Sequence, residues 1–133
     1  MRILVSLAMV GMVLLAGCKG KFPTAPVEGV VTWKGKPLKH GTVVFFHETA
    51  PVSGAGTIGP DGRYKLDAPV GNCRVAIQAR EQPPADLPKE KQTQAYYLGL
   101  KSEIPDRYED HMRNGLHFTV KEGNNTADWK LVE

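Results

Sequence analysis

Cysteine is scarce in this chain, and its charges nearly cancel. The two cysteines are Cys18 and Cys73, so an internal disulfide could join only that pair. The 17 basic and 14 acidic residues are spread evenly and leave a formal net charge of +3 at pH 7. This small, dispersed charge excludes the basic stripe typical of nucleic-acid binding, so no nucleic-acid partner is expected.

The sequence also lacks helical periodicity and long apolar runs after its first 17 residues. Aromatic residues make up only 8%, while 10 prolines and 14 glycines divide the chain into short apolar bursts. A length of 133 residues allows one domain with a core and is too short for two. Short apolar runs between turn residues are typical of an all-β domain.

The one long apolar run lies at the N-terminus. Met1-Arg2 gives a positive start, residues 3–16 are almost continuously apolar, and Leu15-Ala16-Gly17-Cys18 closes the run. A charged start, an apolar stretch and small residues before a cleavage point describe a secretory signal. The run stops short of the ~20 apolar residues that cross a bilayer. We therefore expect residues 1–17 to be a cleaved signal helix.

The residues Leu15-Ala16-Gly17-Cys18 resemble the lipobox of bacterial lipoproteins. The resemblance implies diacylglycerol transfer to the Cys18 sulfur, cleavage before Cys18 and, usually, acylation of the new amine. Cleavage would remove only Arg2 among the charged residues and lower the net charge from +3 to +2. We expect an exported protein anchored to a membrane of the cell envelope through lipid on Cys18. Lys19, in place of the Asp that retains some lipoproteins in the inner membrane, favours the outer membrane.

A disulfide between Cys18 and Cys73 is the alternative to lipidation. Under the lipid hypothesis Cys73 has no partner. Its apolar strand neighbours Val75 and Ile77 share its predicted inward face, which predicts a buried, reduced thiol.

Periodicity changes at Val27. Residues 18–26 show no pattern and predict a tether, whereas residues 27–133 form the predicted domain. Alternation and β-branched runs predict seven strands, at residues 27–33, 42–47, 54–58, 64–66, 73–79, 116–120 and 127–131. The run at 42–47 is continuous enough to be buried on both faces, and Trp129 is placed in the core. The predicted fold is a seven-stranded antiparallel Greek-key β-sandwich.

Three groups of residues in a fixed order carry a family likeness. They are Val27-x-Gly29-x-Val31 with Gly35-Lys36-Pro37-Leu38, Thr57-x-x-x-Asp61-Gly62-x-Tyr64 with Pro69-x-Gly71-x-x-x-Val75, and Ile104-Pro105-x-x-Tyr108 with Gly115-Leu116. Together they resemble carboxypeptidase regulatory-like domains, which are transthyretin-like (prealbumin-type) β-sandwiches. The third group, with the strand pair that follows it, resembles small bacterial lipoproteins built on this domain. The likeness covers residues 27–132. Cys73 departs from it, since the family commonly has an aromatic residue there.

The same resemblance argues against catalysis. In carboxypeptidases, the regulatory-like domain is an accessory module that has no zinc ligands of its own. The hydroxyisourate hydrolase of the transthyretin-like group ends in a Tyr-Arg-Gly-Ser motif, whereas this chain ends in Trp129-Lys130-Leu131-Val132-Glu133.

Motifs for catalysis or metal binding are also missing. The histidines His40, His47, His111 and His117 have no metal-type spacing, and Ser53 lacks a nucleophile elbow. Acidic residues at 106, 109 and 110 beside His111 could bind a cation, although a solvated acidic loop is the favoured interpretation. We predict no catalytic residue, no metal and no cofactor, with an enzyme of unknown type as a remaining alternative.

The segment Arg80–Asn114 is rich in Pro, Lys and Gln and has no strand pattern. Long loops of this kind are usually functional or disordered, and we expect a mobile surface insertion. The alternative is a partner-contact loop that uses Tyr96 and Tyr97, because exposed tyrosines suit interfaces.

The predicted function is a membrane-anchored, non-enzymatic binding or structural module with an envelope protein or glycan as partner. A small-ligand or carbohydrate binder with an aromatic platform of Trp33, Tyr96 and Tyr97 is the alternative.

The lipid prediction is directly testable. We expect protein purified from bacterial membranes to have an intact mass that corresponds to residues 18–133 plus two or three acyl chains. A single chain would hold the protein only marginally, whereas two or three hold it stably. The Cys18→Ala protein should neither be processed at this site nor carry lipid. A mature Cys18→Ala species in the membrane fraction would contradict the assignment.

Overall fold

The computed structural model describes residues 22–133 of the chain. The predicted signal segment and Cys18 lie outside the described residues. In the part that is described, no helix is long and apolar enough to cross a membrane.

Two β-sheets face each other across one core, which confirms the predicted all-β sandwich. The first sheet contains β1, β2, β5, β8 and β9, and the second has the order β4-β3-β6-β7. The strands are β1 (Thr24–Trp33), β2 (Lys36–Pro37), β3 (Thr42–His47), β4 (Ser53–Thr57), β5 (Arg63–Pro69), β6 (Gly71–Gln78), β7 (His117–Val120), β8 (Asn125–Thr126) and β9 (Trp129–Leu131). All seven predicted strands are present, and the two-residue strands β2 and β8 are additional.

The last two strands differ from the antiparallel prediction. Both β8 and β9 pair with β1 in parallel, through Val27 with Asn125 and Val31 with Trp129. The cause is a change of sheet at residues 121–124. There the chain leaves β7, which runs opposite to β6, turns back, and joins the first sheet in the direction of β1.

The first strand begins earlier than predicted. β1 starts at Thr24 rather than Val27, and it pairs with β5 from Thr24 opposite Pro69 onward. Ala25 is buried, so the alternation that was recognised from Val27 extends two residues upstream. Prolines at positions 23 and 26 hid this pattern, although Pro26 is tolerated in the strand opposite Asp67. The end of the predicted tether therefore belongs to the domain.

Alternation along each strand fills the core. In β5, Tyr64, Leu66 and Ala68 are buried, whereas the alternating residues Arg63, Lys65 and Asp67 are exposed. In β3 only Val43 and Phe45 are fully buried, so the prediction of burial on both faces is wrong. The outer side of β3 is only partly covered, for example where the His111 ring stacks on Phe46 at a centroid distance of 4.0 Å.

Glycines let the edge strands β4 and β5 approach closely. A side chain at Gly54 or Gly56 would collide with the carbonyl oxygens of Asp67 and Lys65 respectively. The alternating residues of β4, which include Ala55, face solvent. The weak, glycine-rich strand β4 thus owes its composition to the contact that closes one side of the sandwich.

Cys73 is buried, as predicted. Its side chain is 1% exposed, and its thiol donates a hydrogen bond to the Pro69 carbonyl oxygen at 3.3 Å. Burial raises the pKa of the Cys73 thiol to about 11, so the thiol is protonated at neutral pH. Both effects make it a poor nucleophile.

A buried hydrogen-bond network joins β5 to the C-terminal part of the chain. The Tyr64 hydroxyl donates to the Ala127 carbonyl oxygen and accepts from Trp129 Nε1 at 3.0 Å. Burial raises the pKa of Tyr64, which keeps the hydroxyl protonated as a donor. Trp129 is half-buried against the core, with its ring centroid 6.4 Å from that of Phe45. Its side chain therefore covers the edge of the core and is only partly inside it.

Removing the Tyr64 hydroxyl should therefore destabilise the domain. We expect Tyr64→Phe to lose about 1–3 kcal/mol of unfolding free energy, because Trp129 Nε1 and the Ala127 carbonyl lose their partner. Urea denaturation measures the change. Tyr97→Phe, at an exposed position, is the matched control and should stay within about 0.5 kcal/mol of the parent protein. Equal losses for the two variants would contradict the role of the network.

Candidate functional site

Strand directions divide the sandwich into two ends. The tether end carries the start of β1, His47 at the end of β3, the β5–β6 turn and the β7–β8 turn. The distal end carries the ends of β1, β6 and β9, together with the insertion that follows β6. β1 has 10 residues, and at about 3.3 Å per residue it separates the two ends by roughly 30 Å.

The insertion between β6 and β7 consists of two different halves. Arg80 pairs with Ser102, and the Glu81 amide donates to the Lys101 carbonyl oxygen at 2.8 Å, so residues 82–100 form an excursion with closely spaced ends. This first half is mostly exposed and contains the helix α1 (Gln94–Leu98). Thr93 caps the helix by accepting a hydrogen bond from the Tyr96 amide.

The second half of the insertion is part of the core. Ile104 and Tyr108 are only 3% and 5% exposed. The Tyr108 hydroxyl donates to the Val132 carbonyl oxygen at 2.6 Å and accepts from the Val132 amide at 2.9 Å, which fixes the chain after β9. The expectation of a mobile surface insertion is therefore wrong for this half, because its two large side chains close the sandwich.

Arg80 joins the two halves. Its guanidinium donates to the carbonyl oxygens of Leu98 and Leu100 at 3.2 and 3.0 Å and to Glu109 Oε2 at 2.8 Å. The hydrogen bond to Glu109 raises the pKa of Arg80. These contacts hold the end of α1 in a fixed position and occupy the guanidinium, which makes Arg80 a structural residue.

A polar cleft of about 350 Å³ lies where the insertion meets the second sheet, and we call it the distal cleft. Thr57, Thr42 and Gln78 line it, and they are direct neighbours across three strands. The insertion contributes a wall that includes Tyr97. His40 also lines the cleft, and its buried Nε2 has no hydrogen-bond partner. The cleft therefore combines hydroxyl and amide groups, one aromatic ring, one imidazole and the charged side chains of Arg80 and Glu81.

The structure brings only some of the predicted contact residues together. Tyr97 is 40% exposed and lines the distal cleft, with the half-buried Tyr96 ring edge-on to it at 5.7 Å. Trp33 lies elsewhere, half-buried against the core with the Lys34 ammonium 5.2 Å from its ring centroid. The predicted platform of three aromatic rings is thus not formed. Because the two tyrosine rings pack edge to face, they also do not form one flat stacking surface.

The four histidines occupy separate structural positions. His47 Nδ1 accepts from the Thr49 and Ala50 amides, and His117 Nδ1 lies 3.3 Å from Glu48 Oε1. Throughout residues 22–133, no three metal-ligating side chains converge.

The acidic cluster beside His111 is held by structural contacts. Glu109 pairs with Arg80, and Asp110 Oδ1 accepts a hydrogen bond from the Met112 amide at 3.0 Å. Asp110 also lies 3.7 Å from the Arg113 guanidinium. These contacts engage Asp110 and Glu109 Oε2, whereas the buried Glu109 Oε1 has no hydrogen-bond partner among the described residues.

A larger and open groove of about 600 Å³ lies on the outer face of the first sheet. Glu28, Arg63, Lys65 and Asp128 contribute charges of both signs to it. Asp128 has a structural role there, because its Oδ1 accepts from the Val30 amide at 2.9 Å. The groove is a solvated sheet face, whereas the distal cleft contains a predicted contact residue and an unpartnered buried polar atom.

Comparison with known proteins identifies no family. No family model and no curated protein matches the chain. One solved structure is similar, that of a DUF3823 family protein from Parabacteroides merdae ATCC 43184, at 14% identity and a TM-score of 0.44. The match covers 84% of this chain and 47% of that protein, so the chain spans about half of its length.

The two halves of the insertion should respond differently to change. We expect replacement of residues 83–99 by Asn-Gly to leave the domain folded, since the flanking residues already pair across the excursion. Loop shortening changes stability by only about 0.6 kcal/mol per halving. By contrast, Tyr108→Ala should lose about 3–5 kcal/mol, as large buried aromatic residues do.

Thermal melts of the two variants measure both effects. Unfolding of the shortened protein would show that the exposed half supports the core. A fully stable Tyr108→Ala protein would contradict the core assignment of the second half.

Proposed function

We propose that this protein is a lipoprotein of the bacterial cell envelope, anchored through lipid on Cys18, and that its sandwich is a non-enzymatic binding module. This proposal rests on one observation: the chain enters the domain at one end, and the exposed half of the insertion lies at the opposite end. Phe22 enters the domain at the tether end, whereas Tyr97 and Leu98 lie in the insertion at the distal end. An anchor at one end and a contact surface at the other suit a protein that presents a binding surface away from the membrane.

The distal surface has the chemistry of a protein interface. Leu98 is 66% exposed and Tyr97 is 40% exposed, so α1 presents an aliphatic and an aromatic side chain to solvent. Interface cores are enriched in aromatic residues, and buried tyrosines often dominate binding energy. The Thr93 cap and the Arg80 contact with the Leu98 carbonyl fix the helix before binding, which reduces the entropy lost on association.

The family-like motifs support a sandwich of the carboxypeptidase regulatory-like, transthyretin-like type. Gly35, Gly62 and Gly71 of these motifs have φ values of 80°, 80° and 120°, which side-chain-bearing residues rarely adopt. The turn positions of the motifs thus need their glycines.

Perturbed groups in the described residues have structural causes, which supports binding over catalysis. The raised pKa values of Tyr64 and Cys73 arise from burial, and the hydroxyl of Tyr64 is occupied by Ala127 and Trp129. Neither group lines the distal cleft, although Tyr64 lines the larger groove. Arg80 does line the distal cleft, and its raised pKa arises from its hydrogen bond to Glu109.

Site-specific photo-crosslinking tests the protein-contact function. A photoreactive phenylalanine at Leu98, in the lipidated protein within its own membranes, should yield an adduct with one envelope protein. Met112 is the matched control, because it is another apolar residue of similar exposure, at 62%, that lies outside helix α1. No adduct at Leu98, or the same adducts from both positions, would contradict a specific distal surface.

A glycan is the second candidate partner, and the distal cleft favours it. Thr42, Thr57 and Gln78 offer neutral donors and acceptors beside the Tyr97 ring, while Arg80 is already paired with Glu109. Binding on a glycan array that is lost in Gln78→Ala and kept in Lys91→Ala would favour this candidate over the protein contact.

A further inference from the structure

Very little chain separates the proposed lipid from the folded domain. The Phe22 ring contacts the His47 ring edge-on at a centroid distance of 4.9 Å, and the Pro23 carbonyl oxygen accepts from the Val70 amide at 2.9 Å. β1 then begins at Thr24. Only residues 19–21 lie between Cys18 and the first residue in contact with the domain. Even a fully extended chain therefore places Phe22 within about 14 Å of Cys18.

This reach is comparable with the thickness of the lipid headgroup layer. A bilayer has a hydrocarbon core of about 30 Å and a total thickness of about 40–45 Å, so each headgroup layer occupies roughly 5–8 Å. Acyl chains on Cys18 hold that residue at the boundary of the hydrocarbon core. Phe22 is then less than about 10 Å above the headgroups, which is smaller than the domain itself.

Three turns surround the point where the chain enters the domain. The Glu48 amide donates to the Asn72 carbonyl oxygen at 3.0 Å, which joins the β3–β4 connection to the β5–β6 turn. A side chain at Gly71 would collide with the His47 ring, so this turn also lies against the residue that Phe22 contacts. The β7–β8 turn lies at the same end, because Val120 pairs with Gly71.

We propose that these three turns, at residues 48–52, 70–72 and 121–124, rest on the lipid headgroups. The inference rests on the proposed lipidation of Cys18. The length of the chain outside the structure, and the place where it enters the domain, identify the membrane as the occupant of this surface. The large apolar side chains that are exposed in the described residues, Tyr97, Leu98, Met112 and Val132, all lie outside the three turns. The turns therefore contact headgroups without entering the hydrocarbon core.

This contact fixes the direction in which the distal cleft faces. With the tether end on the membrane, β1 runs away from the bilayer. Leu98 and the distal cleft are then held roughly 30 Å above the headgroups. A binding surface at this height is open to a partner that does not touch the membrane.

Spin labels at the two ends test the orientation. The lipidated full chain is labelled with a nitroxide at Asn124→Cys, in the β7–β8 turn, or at Lys36→Cys, in β2 opposite the distal end of β1. Both positions are exposed, whereas Cys73 is buried and Cys18 is blocked by lipid. Each protein is reconstituted into phosphatidylethanolamine and phosphatidylglycerol vesicles that contain a nickel-chelating lipid. We expect nickel to enhance the relaxation of the label at position 124 and to leave the label at 36 unchanged.

A longer tether is the matched control. Insertion of 20 Gly/Ser residues between Lys21 and Phe22 adds a flexible chain of about 25 Å root-mean-square span, and the difference between the two labels should disappear. Equal enhancement in the lipidated parent protein, or a larger effect at position 36, would overturn the orientation alone. An intact mass without lipid on Cys18 would overturn the anchoring and the orientation together.

Discussion

β1 takes part in every strand pairing of the first sheet. β5 and β2 pair with it in antiparallel fashion, and β8 and β9 pair with it in parallel, so β1 joins the start of the described chain to its end. Gly29 permits this arrangement, because a side chain there would collide with the Ala127 carbonyl oxygen. The Tyr64 hydroxyl then binds that same oxygen from the core side. The direction of β1 also defines which end of the domain would meet the proposed anchor.

The insertion combines two physical demands that a single loop would meet poorly. A contact surface needs exposed side chains, whereas a small sandwich needs its open side covered. The chain separates the two functions, with Tyr97 in the exposed half and Tyr108 in the buried half. Arg80 and Glu109 couple them, and each side chain is about one-fifth exposed, at 22%. Partial burial strengthens this ion pair relative to a surface pair. The proposed contact surface is therefore attached to the buried half without being part of the core.

Sequence patterns predicted the seven main strands because a two-residue period directly reports one buried face. The patterns failed where the structure of a segment depends on the part of the chain that it pairs or packs with. The parallel pairing of β9 depends on the turn after β7, and the start of β1 was hidden because Pro23 and Pro26 obscured the burial of Ala25. Ile104 and Tyr108 carried a family likeness but no periodicity that would place them in the core. The distal cleft was not predictable, because it requires Thr42 to pair with Gln78 and Thr57 at once.

The short tether changes what the distal end contributes to binding. A lipoprotein on a long flexible chain samples many orientations, and each encounter pays for the ordering of the domain. Here the chain has only three residues between the proposed anchor and Phe22, so most of that orientational freedom would be lost before a partner arrives. Pre-organisation of this kind favours association without adding a contact. It also limits the partners, because a surface held roughly 30 Å above the bilayer meets only molecules that extend to that height or approach from the opposite side.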